Sequence, residues 1–130
     1  MNVRVISKGN AKGKPLVSNE PLSFLGGVDP KTGKVIDPRH PLKGKSIKNK
    51  ILIIPGGKGS TVGSYVLYQL AKNKTAPAGI ICIKAEPIVA VGAIIAKIPL
   101  VDGITIEDME KLSKCHEVEI KNGKIKMIKK

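Results

Sequence analysis

The run Pro55-Gly56-Gly57-Lys58-Gly59-Ser60-Thr61 gathers the residue types that ligand chemistry needs. Glycines let the backbone approach a ligand closely, Lys58 supplies a point charge for phosphate or carboxylate, and Ser60 supplies a hydroxyl. The order is not that of a nucleotide-binding P-loop. In that motif lysine follows the last glycine directly, whereas here Lys58 precedes Gly59, which excludes an ATPase reading. A serine hydroxyl is a poor base in water because its alkoxide is too costly at neutral pH. It becomes usable where N–H donors and a cation or metal stabilise the alkoxide in a closed site. The glycine loop, Lys58 and a helix start furnish part of such a site, and the rest must come from another chain. The same pattern also fits a plain helix cap at Ser60 or Thr61, with no chemistry attached.

Other polar residues have two readings each. His40, between Arg39 and Pro41, either approaches an anionic ligand or closes a local turn network. Asp29 and Asp37 form either a carboxylate pair or two turn caps. Glu86, just before Pro87, is either a polar group at a sheet edge or a first-turn acid, and the pattern does not separate these. His116 reads as structural and Cys82 as packing. Cys82 and Cys115 are far apart and in no metal-ligand spacing, so neither a disulfide framework nor a zinc or iron–sulfur site of this chain's own is indicated.

The elements around the glycine run follow from periodicity. Ile51-Leu52-Ile53-Ile54 is a continuous apolar run, the mark of a strand buried on both faces. After the glycines, Val62, Tyr65, Val66, Gln69 and Leu70 fall at spacings of three and four and predict an amphipathic helix over about 61–72, whose start offers unpaired N–H groups to an anion. Ala78–Ile83 gives a second buried strand and completes a parallel βαβ unit. Pro87 opens a helix through Ala96, apolar on most of its circumference and so expected to be substantially buried. Thr105 and Asp108 form a capping box for a helix reaching about Lys114. Alternation on both sides of Asn122-Gly123 predicts a terminal hairpin. Before the glycine run, Val3–Ile6 has strand propensity and ends at Lys8-Gly9-Asn10. Short extended pieces fall around Leu16 and Leu22, and Asp29–Gly33 makes a tight turn.

At 130 residues the chain is expected to be one compact α/β domain over 1–130, and 42% hydrophobic with 25% charged residues is an ordinary globular balance. The net charge of +13 suits anionic partners. Nucleic acid is disfavoured, because Arg4 and Arg39 are the two arginines among 23 basic residues, and Phe24, Tyr65 and Tyr68 are the whole aromatic set. The stretch Ile88–Val101 is broken by Lys97 and Pro99 and is too short for a membrane span. No signal peptide is visible, so a cytoplasmic location is expected.

Four segments carry a family resemblance: Leu22–Gly33 (LSFLGGVDPKTG), Ile36–Gly44 (IDPRHPLKG), Lys58-Gly59-Ser60-Thr61 and Ala76-Pro77-Ala78. Together they resemble the swivel-domain, or small-subunit, part of the aconitase X family over nearly the whole chain, closest to its archaeal two-chain branch. The resemblance implies a swivelling β/β/α domain like that of aconitase, paired with a large catalytic subunit that holds a [4Fe-4S] cluster, with no cofactor bound by this chain alone. It implies a hydro-lyase that removes water from a phosphorylated carboxylate substrate, (R)-5-phosphomevalonate, to give trans-anhydromevalonate 5-phosphate for isoprenoid synthesis. Ser60 is then the proton acceptor, with Lys58, Gly59, Thr61, Arg39 and His40 placed as substrate-binding residues. Many family members carry arginine where this chain has Lys58, and lysine keeps the charge but loses the bidentate fork. Two alternatives stand beside this: a related hydro-lyase acting on a hydroxyproline or another hydroxy acid, and a noncatalytic anion- or nucleic-acid-binding module.

Overall fold

The computed structural model describes residues 1–129. Five strands form the main sheet: β1 (Arg4–Ser7), β3 (Pro15–Val17), β4 (Ile51–Ile54), β5 (Gly79–Cys82) and β6 (Leu100–Asp102), in the order β1-β6-β5-β4-β3. Strands β3 to β6 run parallel, and β1 is an antiparallel edge. A second sheet of β2 (Ala11–Gly13), β7 (Glu117–Lys121) and β8 (Lys124–Ile128) is antiparallel throughout. Three helices complete the fold: α1 (Gly63–Lys72), α2 (Pro87–Ala96) and α3 (Ile106–Ser113).

The apolar run of β4 is explained by two cores, one on each face of the main sheet. Leu52 and Ile54, with Ile80, Cys82 and Leu100, meet Val66, Leu67, Leu70, Val89 and Ala93 of α1 and α2. Ile51 and Ile53, with Ile81 and Val101, meet Met109 and Leu112 of α3 and Val118 and Ile120 of β7. Each such fully buried side chain contributes about 1.5–3 kcal/mol, so a one-residue slip of β4 would exchange two complete sets of contacts. The layers are therefore small sheet with α3, main sheet, and helix pair, the β/β/α arrangement that the family resemblance implies. The segment 18–50 wraps the helix side and adds Leu22, Phe24, Val28, Val35, Leu42 and Ile47 to that core.

The βαβ unit, the capping box and the hairpin match expectation. Thr105 Oγ1 accepts from Asp108 N–H at 3.1 Å, while Asp108 Oδ2 accepts from Thr105 N–H at 3.0 Å. Asn122 and Gly123 both adopt positive φ, as a tight two-residue hairpin turn demands.

Three expectations fail. Helix α1 buries Gly63, Val66, Leu67 and Leu70, one residue round from the face read in the sequence, and Val62 and Tyr65 are exposed. The glycines explain this turn. A Cβ on Gly63 would stand 3.0 Å from Ile88 Cγ2, and one on Gly92 would stand 2.6 Å from Leu67 Cδ1, so the helices touch through positions that hydropathy counts as empty. Helix α2 is also less buried than its composition suggests. It buries Val89, Gly92 and Ala93, while Val91, Ile94 and Ile95 are 47%, 54% and 54% exposed, because α2 sits in an outer layer with the sheet on one side only. Finally, β2 lies where no strand was read, and it exists by pairing with β7 more than 100 residues away.

Candidate active site

Three chain segments leave the carboxyl ends of β3, β4 and β5 side by side and lace together. Leu22 N–H donates to Gly56 O at 3.2 Å and Lys58 N–H donates to Leu22 O at 3.1 Å, so the glycine run continues the sheet for one bridge. From the other flank, Gly57 N–H donates to Glu86 Oε1 at 3.1 Å and Lys84 N–H to Pro55 O at 3.1 Å. Close approach explains two of the glycines. A Cβ on Gly57 would lie 2.7 Å from Glu86 Oε1, and one on Gly59, where φ is +92°, would lie 2.6 Å from Ser23 Oγ.

The loop presents Lys58, Gly59, Ser60 and Thr61 to solvent. Ser60 Oγ accepts from Val62 N–H at 3.1 Å, a contact that opposes the cost of negative charge on that oxygen. This is a turn contact rather than an N-cap. The residue before α1 is Val62, in helical conformation with no side-chain cap, which corrects the capping role read for Ser60 or Thr61. The helix start is also less open than expected, because Gly63, Ser64 and Tyr65 N–H donate to Ser60, Thr61 and Val62 O. The N–H groups of Gly59, Ser60 and Thr61 have no acceptor among the described residues.

Lys58 and Arg39 share a cleft of about 630 Å³ with His40, Asp37 and Glu20. Two cations thus face two carboxylates. Asp37 is half committed, since its Oδ1 accepts from Arg39 N–H at 2.9 Å as a turn cap. Asp29 likewise accepts from Lys31 N–H at 2.9 Å, so the two aspartates serve turns rather than each other. His40 is buried, and both ring nitrogens are engaged. Nδ1 accepts from Leu42 N–H at 3.1 Å, and Nε2 donates to Pro21 O at 3.1 Å. The ring ties the 37–42 loop to the segment after β3, the local network that was one of its two sequence readings, while His40 also lines the cleft. Gly59, Ser60 and Thr61 are not part of the cleft wall and lie further along the loop.

Two more polar residues stand at this edge: Glu86, which the sequence reads as a sheet-edge polar group or a first-turn acid, and Asp102, which the sequence reading does not single out. Glu86 proves to be the N-cap of α2. It stands at the sheet edge, as one of its two readings had it, and nothing local announces the bond to Gly57. Asp102, 3% exposed at the end of β6, takes Arg4 Nε at 3.1 Å and Nη2 at 2.9 Å, with Ala85 N–H at 2.9 Å. Burial works against its charge. The Arg4 hydrogen bonds, the Ala85 N–H and the charges of Arg4 and Lys84 outweigh burial and hold the carboxyl below its ordinary range.

Neither cysteine fits a cluster. Cys82 lies in the helix-side core and Cys115 in the opposite one, and among the described residues no three His, Cys, Asp or Glu side chains are grouped to hold a metal. Burial first, then the charges of Asp102 and Glu86, push the Cys82 thiol up and keep it protonated. No helix among the described residues is long and apolar enough to cross a membrane.

The chain is thus a β/β/α domain whose parallel strands end at a glycine loop bearing an exposed serine. The chain belongs to the aconitase X swivel-domain family, whose description matches residues 1–129. It is 60% identical over 128 residues to the phosphomevalonate dehydratase small subunit of Methanothermobacter thermautotrophicus, covering 97% of this chain and 98% of that one. The corresponding small subunit of Pyrococcus abyssi is 51% identical over 125 residues, 95% of this chain and 94% of its own. Among solved structures, the crystal structure of Thermococcus kodakaraensis aconitase X in its holo-form superposes with a TM-score of 0.89 at 49% identity, covering 97% of this chain and 95% of that one.

Proposed function

We propose that the chain is the small subunit of a phosphomevalonate dehydratase and that Ser60 accepts the proton in the elimination of water from (R)-5-phosphomevalonate. Near full-length similarity to small subunits of that name, together with the fold, supports the assignment to a two-chain hydro-lyase. One observation carries the role of Ser60: its hydroxyl is exposed on a tightly laced loop and already accepts the Val62 N–H. Dehydration removes a proton from the carbon beside the carboxylate and hydroxide from the next carbon. Ser60 Oγ, as alkoxide, takes that proton, and the Val62 N–H stabilises it beforehand. Lys58 and Arg39 receive the anionic groups of the substrate, with Gly59 and Thr61 offering backbone N–H groups further along the loop, on either side of Ser60. His40 holds the loop that carries Arg39. In this reading the large subunit holds the iron–sulfur cluster and closes the site against water, and among the described residues of this chain no three His, Cys, Asp or Glu side chains are grouped to hold a metal.

The test is anaerobic dehydration of (R)-5-phosphomevalonate by the cluster-loaded large subunit with and without this chain. Product is expected with both chains and not with either alone. The Ser60→Ala complex should lose at least about 100-fold in kcat while assembling normally. Near-normal turnover in that variant removes Ser60 from the proton step. An intact, loaded complex that spares phosphomevalonate but dehydrates a hydroxyproline or another hydroxy acid moves the assignment to that related activity.

A further inference from the structure

Glu86 joins the start of α2 to the glycine loop that carries Ser60. Its Oε1 accepts from Val89 N–H at 3.0 Å and from Gly57 N–H at 3.1 Å, and its Oε2 accepts from Ile88 N–H at 3.0 Å. The Val89 and Ile88 bonds cap α2. The Gly57 bond reaches across 29 residues to the glycine loop and has no part in capping. The fit is close on every side, because Gly57 has no room for a Cβ between Glu86 Oε1 and Val89 Cγ2. Glu86 is itself braced. Lys84 N–H donates to Pro55 O at 3.1 Å, and Ala85 N–H donates to Asp102 Oδ2, which Arg4 holds. A fixed frame at the ends of β4, β5 and β6 therefore grips the loop one residue before Lys58 and three before Ser60.

We propose that Glu86 is a positioning residue for Ser60, setting the height of the glycine loop through the Gly57 N–H while its other bonds cap α2. The proposal rests on the reading of Ser60 given above. Three N–H groups are directed at the carboxylate, so most of its acceptor capacity is used in holding the loop and the helix start. Placement matters more for Ser60 than for Lys58. A base must meet its proton within hydrogen-bond reach, whereas a long flexible lysine follows an anion through a small loop shift.

Glu86→Asp separates the two roles. Aspartate is a favoured N-cap, so the cap of α2 is kept, but the side chain is one carbon shorter and lets go of Gly57. In the reconstituted two-chain enzyme, Glu86→Asp is expected to lower kcat about 10- to 100-fold with KM changed less than about threefold. The thermal midpoint should stay within a few degrees of the parent, and amide exchange of the 56–59 segment should accelerate. Glu86→Ala is expected to lose kcat and thermal stability together. Wild-type kcat in a folded Glu86→Asp complex overturns the proposal, as does a kcat loss with unchanged exchange at 56–59. Ser60→Ala measured alongside distinguishes the failures. If that variant turns over normally, the reading of Ser60 falls and this proposal with it. If it is inactive while Glu86→Asp is fully active, the positioning role alone falls.

Discussion

Helices α1 and α3 begin in opposite ways. The start of α3 is sealed by its own side chains: Thr105 and Asp108 satisfy each other's backbone N–H groups, and Glu107 and Asp108 put negative charge where the helix dipole favours it. The start of α1 has no side-chain cap and no acid in its first turn. Its first N–H groups turn back on Ser60, Thr61 and Val62 O, and the loop that leads into it is held from outside, by Leu22 on one flank and Glu86 on the other. A self-sealed start spends its donors on stability. One held from a distance leaves an exposed hydroxyl, a lysine and free loop N–H groups available to a ligand. The candidate site is thus where local helix rules are broken and tertiary contacts compensate.

The comparison breaks first at Lys58. If the open loop exists to receive an anion, Lys58→Ala should raise KM for the phosphorylated substrate about tenfold or more, the worth of a hydrogen bond to a charged group, and leave kcat within about twofold. Steady-state kinetics of the reconstituted enzyme decides it. Unchanged KM returns Lys58 to the solvated surface and leaves Arg39 as the cation of that cleft.

The same contrast explains what the sequence made legible. The βαβ unit, the capping box and the Asn122-Gly123 hairpin rest on residues within a few positions of one another, so periodicity and turn chemistry suffice to find them. The Lys58–Ser60 loop was legible as a candidate for the same reason. Its supports were not. Glu86 reaches Gly57 over 29 residues and Arg4 reaches Asp102 over 98, and no local pattern records either bond. The face of α1 was misread because Gly63 and Gly92 are contact positions that carry no hydropathy. Strand β2 was missed because three residues, Ala11-Lys12-Gly13, become a strand only against β7. His40 fits a ligand residue or a turn network by type, and only the fold shows both its nitrogens in use.

The frame behind the loop has its own signature in pH. The Asp102 carboxyl is depressed in the folded chain, so its contribution is complete above the unfolded value near 3.9 and is lost as pH falls through the lower folded value. Asp102→Asn should therefore be less stable than the parent at pH 7, with the gap narrowing below about pH 4 as the parent loses the same charge. Urea midpoints at pH 7 and pH 3 measure this. A gap of equal size at both values would mean that packing, not the ion pair with Arg4, gives Asp102 its weight.

The smallest effect belongs to the sealed helix. Thr105→Ala removes the acceptor for Asp108 N–H and opens the box, which should cost about 1 kcal/mol and lower the thermal midpoint by several degrees. Thr105→Ser keeps the oxygen and should restore most of the loss. Helix α3 packs in the core on the far face of the sheet from α1 and α2, so the cost should stay there. Turnover per folded complex should not change, because nothing in the cap touches the 55–61 loop. A Thr105→Ala enzyme whose kcat falls while its complex remains folded would couple the two ends through the sheet and end the division between a stabilising start and a functional one.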